Sequence, residues 1–145
     1  LVEGACGLDY GSGPGPTLSV MLEERGFVMR NYDPFFADDV DALAGEYDFI
    51  ACTETVEHFH HPGREFQCFD RLLRPGGWLG IMTGMRDPGT DFADWYYVRD
   101  PTHVSFYQMQ TMEWLAQHFN WILQSPGPNV VLFQVNPNLT GPGPE

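Results

Sequence analysis

At 145 residues, 43% of them apolar, the chain is the size of one domain around one core, and 11 Phe and four Trp set it apart from disordered sequences. Twenty acidic residues face seven Arg and no Lys, for a net charge of −13. That balance leaves no basic footprint for nucleic acid or an anionic membrane surface, and it removes lysine Schiff-base chemistry. A small-molecule partner is expected, with the oligomeric state open. No apolar run reaches the ~18 residues of a membrane span, and no signal-peptide pattern opens the chain, so a cytoplasmic location is expected. Cys6, Cys52 and Cys68 stand at no metal-like spacing and read as buried, reduced thiols.

Residues 3–9 read as a short buried strand. Gly11, Gly13 and Gly15 follow at alternate positions and form a tight turn, since glycine tolerates positive φ and lets backbone approach a ligand. Pro14 or Pro16 opens a helix in which Leu18, Met21 and Leu22 recur at helical spacing, with Gly26 as its stop. Phe27–Tyr32 is the second strand, and it ends in Asp33-Pro34. The acidic stretch 35–46 reads as a loop with at most one helical turn and a stub of strand. Tyr47–Cys52 is a strand, followed by a polar loop from Thr53 to Pro62.

A helix from Gly63 buries Phe66, Phe69, Leu72 and Leu73, with Arg71 and Arg74 at its end and Pro75-Gly76-Gly77 as the stop. Trp78–Thr83 is the next strand. The loop 84–107 is long, and its six aromatics argue for a functional rather than a disordered segment. Gln108–Phe119 reads as a helix with Met109, Met112, Leu115, Ala116 and Phe119 inward. Trp121–Leu123 and Val130–Val135 form an antiparallel pair across Ser125–Asn129. Alternating strands and helices imply a parallel sheet with helices on its faces and an antiparallel edge. Ligands bind beyond the C-terminal strand ends of such sheets, which gathers Gly11–Gly15, Asp33, Thr53–His58 and Thr83–Met85 on one rim.

Asp33 lies 22 residues after Gly11, where a carboxylate accepts the hydroxyls of a ribose. A dinucleotide turn needs G-x-G-x-x-G, but Pro16 holds the third place and the observed spacing is Asp9-x-Gly11-x-Gly13-x-Gly15. With the strand Tyr47–Cys52, Glu57-His58 and Leu72-Leu73-Arg74-Pro75-Gly76-Gly77, the chain resembles the class I S-adenosylmethionine-dependent methyltransferases over residues 4–136. The resemblance implies an α/β fold: a Rossmann-like three-layer sandwich, its sheet mostly parallel with a C-terminal antiparallel strand. Only 13 residues separate Asp33 from Tyr47, so the second helix and third strand of the family are shortened. The domain is expected over 1–136, with the family's N-terminal lid helices outside this sequence and 137–145 as a flexible tail.

Carried over, the resemblance places the methionyl part of S-adenosylmethionine, or of its product S-adenosylhomocysteine, on the backbone of Tyr10, Gly11, Ser12 and Gly13. Gly15 completes the turn, Asp9 orders it, and Asp33 takes the ribose with Pro34 or Phe35 near adenine. Thr53 and Glu54 approach the methionyl end, and one of Asp38, Asp39 and Asp41 meets the adenine amine. Histidine is the natural base near neutral pH, and His58 and His103 are the candidates. Glu54, Glu57 and His58 resemble the acidic-His motif that binds a divalent cation in the O-methyltransferases of ubiquinone synthesis. The expected reaction is methyl transfer to a small-molecule acceptor at oxygen. The rival readings are a nicotinamide-dependent oxidoreductase and a non-catalytic cofactor-binding module.

Overall fold

The computed structural model describes residues 1–138. Its strands are β1 (Cys6–Tyr10), β2 (Val28–Tyr32), β3 (Tyr47–Thr53), β4 (Leu73–Met82), β5 (Trp121–Gly127) and β6 (Val130–Val135). They form one sheet in the order β2-β1-β3-β4-β6-β5. The first four run parallel, and β6 is antiparallel to both β4 and β5. Helices α1 (Thr17–Glu23), α2 (Pro62–Leu72) and α3 (Met109–Phe119) connect them.

Side chains alternate across a strand, and the register sorts the sheet into two faces. Leu8, Ile50, Leu79, Phe133 and Leu123 are successive partners across five strands. They pack against Phe66, Phe69 and Leu72 of α2 and Met112, Leu115 and Phe119 of α3 in one core. Full burial of a side chain such as Phe66 or Phe69 stabilises by about 1.5–3 kcal/mol each, so this face holds the domain together. The opposite face carries Gly7 and Asp9, and α1 lies on it: Ser19 Oγ of α1 donates to Asp9 Oδ2 at 3.1 Å. Helices on both sides of a mostly parallel sheet are the expected layered architecture. Between Asp33 and Tyr47 only an isolated Asp33–Ala37 bridge and a 3₁₀ turn, Val40–Ala44, remain of the shortened segment.

Several boundaries move. Strand β1 starts at Cys6 rather than residue 3, because Glu3-Gly4 is a turn in which Gly4 N–H donates to Gly26 O. Helix α2 ends at Leu72, and β4 runs from Leu73 straight through Pro75-Gly76-Gly77. The proline-glycine turn is a bulged strand start: Leu73 pairs with Tyr47, then the register shifts before Trp78 pairs with Phe49. Arg74 therefore leaves the helix end and forms an ion pair with Asp48 at 2.7 Å. Strand β5 likewise continues through Ser125-Pro126-Gly127. It is the outermost strand, where a proline's missing N–H costs no ladder bond. All three cysteines are free, but only Cys52 is buried; Cys6 and Cys68 are half-buried. Among the described residues no helix is long and apolar enough to cross a membrane. Of the tail expected to be flexible, residues 139–145 lie outside the described residues.

Candidate functional site

The chain leaves β1 for β2 on one side and returns to β3 on the other, so the strand order reverses beside β1. The crevice beyond the strand ends at such a reversal is where α/β sheets bind ligands. Two cavities open there and meet at Gly11. The larger, of about 580 Å³, is bounded by Tyr10, Gly11 and Gly13, by Tyr32–Phe35, and by Glu54, Thr55, His58–His61 and Glu65. The smaller, of about 360 Å³, lies on the α1 side and is bounded by Asp9, Gly11, Ser12, Gly15, Thr17, Leu18, Met21 and Thr53.

The glycine turn is built for close approach. Gly11 has φ +81°, and a Cβ there would stand 2.3 Å from the Thr55 side chain. Gly13 has φ +64° with open space where a Cβ would be. Asp33 ties this turn to the end of β2. Its carboxylate, 7% exposed, accepts N–H bonds from Gly13 at 3.0 Å, Phe35 at 2.8 Å and Phe36 at 3.2 Å. Ser12 Oγ, on the smaller cavity, is the single buried side-chain oxygen or nitrogen without a partner among the described residues. Asp9 is buried beside it. Burial pushes the Asp9 carboxyl above its usual range, Ser19 pulls it back, and the nearby Asp33 charge adds to the rise.

At the end of β3 the backbone is held in an uncommon shape. Glu54 has φ 48°, and its N–H donates to Met82 O at 2.7 Å. Such a conformation in a residue with a Cβ costs about 1–3 kcal/mol and concentrates at functional sites. Burial and the neighbouring Glu57 charge raise the Glu54 carboxyl. Glu57 itself is fully buried. It accepts from Tyr97 Oη at 2.5 Å and Thr83 Oγ1 at 2.9 Å. Tyr97 Oη also lies 3.3 Å from Glu54.

The two histidines meet. Their rings stand 5.0 Å apart. His58 Nδ1 is 3.0 Å from Thr102 O, and His103 Nδ1 is 2.8 Å from Tyr97 O. A carbonyl only accepts, so each Nδ1 donates and Nε2 is the remaining ring nitrogen, which in His103 lies 3.8 Å from Asp100 Oδ2. One ligand atom from each of Glu57, His58 and His103 falls within 4.8 Å of the others. Glu54 stands outside that trio. Two imidazoles and a carboxylate suit a divalent transition metal.

Of the residues singled out from the sequence, Tyr10, Gly11, Gly13, Asp33, Pro34, Glu54 and His58 line the larger cavity, and Asp9, Ser12, Gly15 and Thr53 the smaller. His103 lines neither but reaches His58 from the 84–107 loop. Asp38, Asp39 and Asp41 are exposed and line neither cavity. The sequence offers no sign of Glu65, and shows Tyr97 only as one of the aromatics of the long loop. Glu65 accepts from Tyr10 Oη, a contact 55 residues apart in sequence, and no local pattern announces it. Tyr97 sat in an aromatic run with nothing to separate it from Trp95 and Tyr96.

A family profile described as a methyltransferase domain matches residues 1–125. The chain is 31% identical over 88 residues to the ubiquinone biosynthesis O-methyltransferase of Sodalis glossinidius, a match covering 59% of this chain and 35% of that protein. The chain thus matches about a third of the length of such curated relatives. Among solved structures it is similar to Haemonchus contortus phosphoethanolamine N-methyltransferase 2 in complex with S-adenosyl-L-methionine, with a TM-score of 0.66 at 18% identity over 88% of this chain and 36% of that one. It is also similar to Burkholderia thailandensis 1,6-didemethyltoxoflavin-N1-methyltransferase, solved with 1,6-didemethyltoxoflavin and S-adenosylhomocysteine. There the TM-score is 0.65 at 18% identity, over 92% of this chain and 72% of that one. At these identities the likeness is one of fold.

Proposed function

The chain belongs to the class I S-adenosylmethionine-dependent methyltransferase family, and from that premise we propose that it transfers a methyl group from S-adenosylmethionine to a hydroxyl of a small-molecule acceptor. The observation that carries this reading is the pair of cavities meeting at Gly11 of the glycine turn, one lined by Asp33 and the other by Asp9 and Ser12. The residues fit the cofactor. Gly11 and Gly13 offer bare backbone, and the smaller cavity, lined by Asp9, Ser12 and Thr53, suits the polar methionyl end. Asp33, Pro34 and Phe35 line the side of the larger cavity suited to the nucleoside. When bound, the cofactor supplies an electrophilic methyl on sulfur.

The protein's part is alignment and proton removal. Holding donor and acceptor in line contributes several orders of magnitude. The Nε2 atoms of His58 and His103, with Nδ1 of each fixed on a carbonyl, are poised to take the acceptor's proton. The convergence of Glu57, His58 and His103 supports a second role for these side chains, as ligands of a divalent cation. A cation there would lower the pKa of an acceptor hydroxyl and orient it.

Calorimetry with S-adenosylhomocysteine tests the cofactor, and mass spectrometry of phenols incubated with S-adenosylmethionine tests the reaction. Saturable binding and a product heavier by one methylene are expected. Tight NADH binding without S-adenosylhomocysteine binding would instead favour an oxidoreductase. Binding unaffected by His58→Ala and His103→Ala, with no acceptor methylated, would favour a non-catalytic module. Titration of Mn²⁺ or Zn²⁺ into wild type and His103→Ala separates the base and cation roles.

A further inference from the structure

We propose that a third cavity, between the 84–107 loop and the start of α3, binds a small aromatic carboxylate on Arg86. The cavity holds about 210 Å³ and is bounded by Arg86, Phe92, Phe106, Tyr107, Gln108 and Thr111. It shares no residue with the two cavities that meet at Gly11, so the inference stands apart from the cofactor reading. It lies where the two ends of the loop come together: Arg86 N–H donates to Tyr107 O at 2.9 Å.

Arg86 carries the argument. Acidic residues outnumber arginines 20 to seven in this chain, so a sheltered arginine with no acid beside it is unexpected. Two arginines are half-buried, Arg74 and Arg86. Arg74 pairs with Asp48 at 2.7 Å. Arg86 pairs with no carboxylate among the described residues. Its Nη atoms donate to two neutral oxygens, Thr90 O at 2.8 Å and Gln108 Oε1 at 3.0 Å. Those bonds fix the plane of the guanidinium and leave N–H donors of its fork free. A planar carboxylate matches that fork and supplies the missing counter-charge. The rest of the wall is apolar. Phe92 is 46% exposed, although it stands edge-on to Phe106 at 5.0 Å, and a ligand ring packed there would cover it. Thr111 adds a hydroxyl on the α3 side. The volume suits one ring with its carboxylate rather than a nucleoside. The net charge of −13 disfavours anions over the surface at large, so retention of an anion here reports Arg86 itself.

Calorimetry of benzoate against benzamide and acetate tests the site. Benzamide keeps the ring without the charge, and acetate keeps the charge without the ring. Wild type is expected to bind benzoate about 10-fold or more tightly than either. Arg86→Gln removes the charge and should bring benzoate within about 3-fold of benzamide. Phe92→Ala keeps the charge and should weaken benzoate about 5-fold or more while leaving acetate within about 2-fold. Thermal melts check the folding of both variants. Arg86→Gln also loses the ties to Thr90 and Gln108; if it does not fold, the exposed Phe92→Ala change decides the case. The proposal is overturned if wild type binds benzoate no more tightly than benzamide, if folded Arg86→Gln keeps the full preference, or if Phe92→Ala leaves benzoate binding unchanged.

Discussion

Replacing Asp33 by Asn is the sharpest probe of how the glycine turn is held. The native carboxylate takes three backbone N–H groups, Gly13 on Oδ2 and Phe35 and Phe36 on Oδ1. An asparagine has one oxygen to offer. If that oxygen keeps the two amides of its own turn, the new NH₂ faces the Gly13 N–H, donor against donor. A hydrogen bond to a charged group contributes about 1.5–3 kcal/mol net. Gly13 is only half-buried, so water recovers part of that loss. The expected cost is therefore about 2 kcal/mol, or about 4–8 °C in Tm at this chain length. Asp33→Ala removes all three acceptor contacts and should cost about twice as much. Urea unfolding of the ligand-free protein, followed by tryptophan fluorescence, measures both variants, with an unchanged m-value as the sign that only stability moved. If Asn lies within about 0.5 kcal/mol of wild type, or Ala is no worse than Asn, the carboxylate is not the tie between β2 and the turn.

Two further outcomes follow from buried groups. Tyr97→Phe keeps the ring stacked on Trp95 at 5.1 Å but leaves the fully buried Glu57 with Thr83 as its one remaining hydroxyl. A loss of about 2 kcal/mol in urea unfolding is expected, and a change under about 0.5 kcal/mol would refute the strut. Asp9→Asn should raise the urea midpoint of the ligand-free protein at pH 7. Burial raises the folded Asp9 carboxyl above its unfolded value, so the folded state holds the proton more tightly, and stability falls as pH rises from the unfolded value through the folded one. The advantage of Asn is thus full above that window and absent below it. An equal gap between variant and wild type at pH 3.5 and pH 7 would contradict this.

The order and turns of the first half of the parallel sheet are legible in the sequence, while the start of β1 shifts to Cys6. The apolar run to Leu8, the alternating glycines and Asp33 at the end of the second strand follow from local rules, and the structure puts them where those rules say. The departures occur where a neighbouring strand overrules a local signal. Pro75-Gly76-Gly77 breaks a helix, but it does not prevent Leu73 from pairing with Tyr47, and a register shift absorbs the turn. Ser125-Pro126-Gly127 marks a loop by composition, yet the outermost strand accommodates it. The shortened segment after Asp33 was visible as a count of residues, but the place of Glu65 on the larger cavity was not.

Sequence alone determined where the chain turns sharply and which residues stand at the C-terminal ends of the parallel strands, because these depend on side chains a few positions apart. The tertiary structure decided which of them meet. His103 reaches His58 because Tyr97 and Glu57 anchor a loop 40 residues away in sequence. Glu65 reaches the larger cavity because no helix intervenes between β2 and β3. Neither contact has a periodicity, since each is set by how far apart the sheet places two segments, and that distance exists only once the sheet has closed over its core.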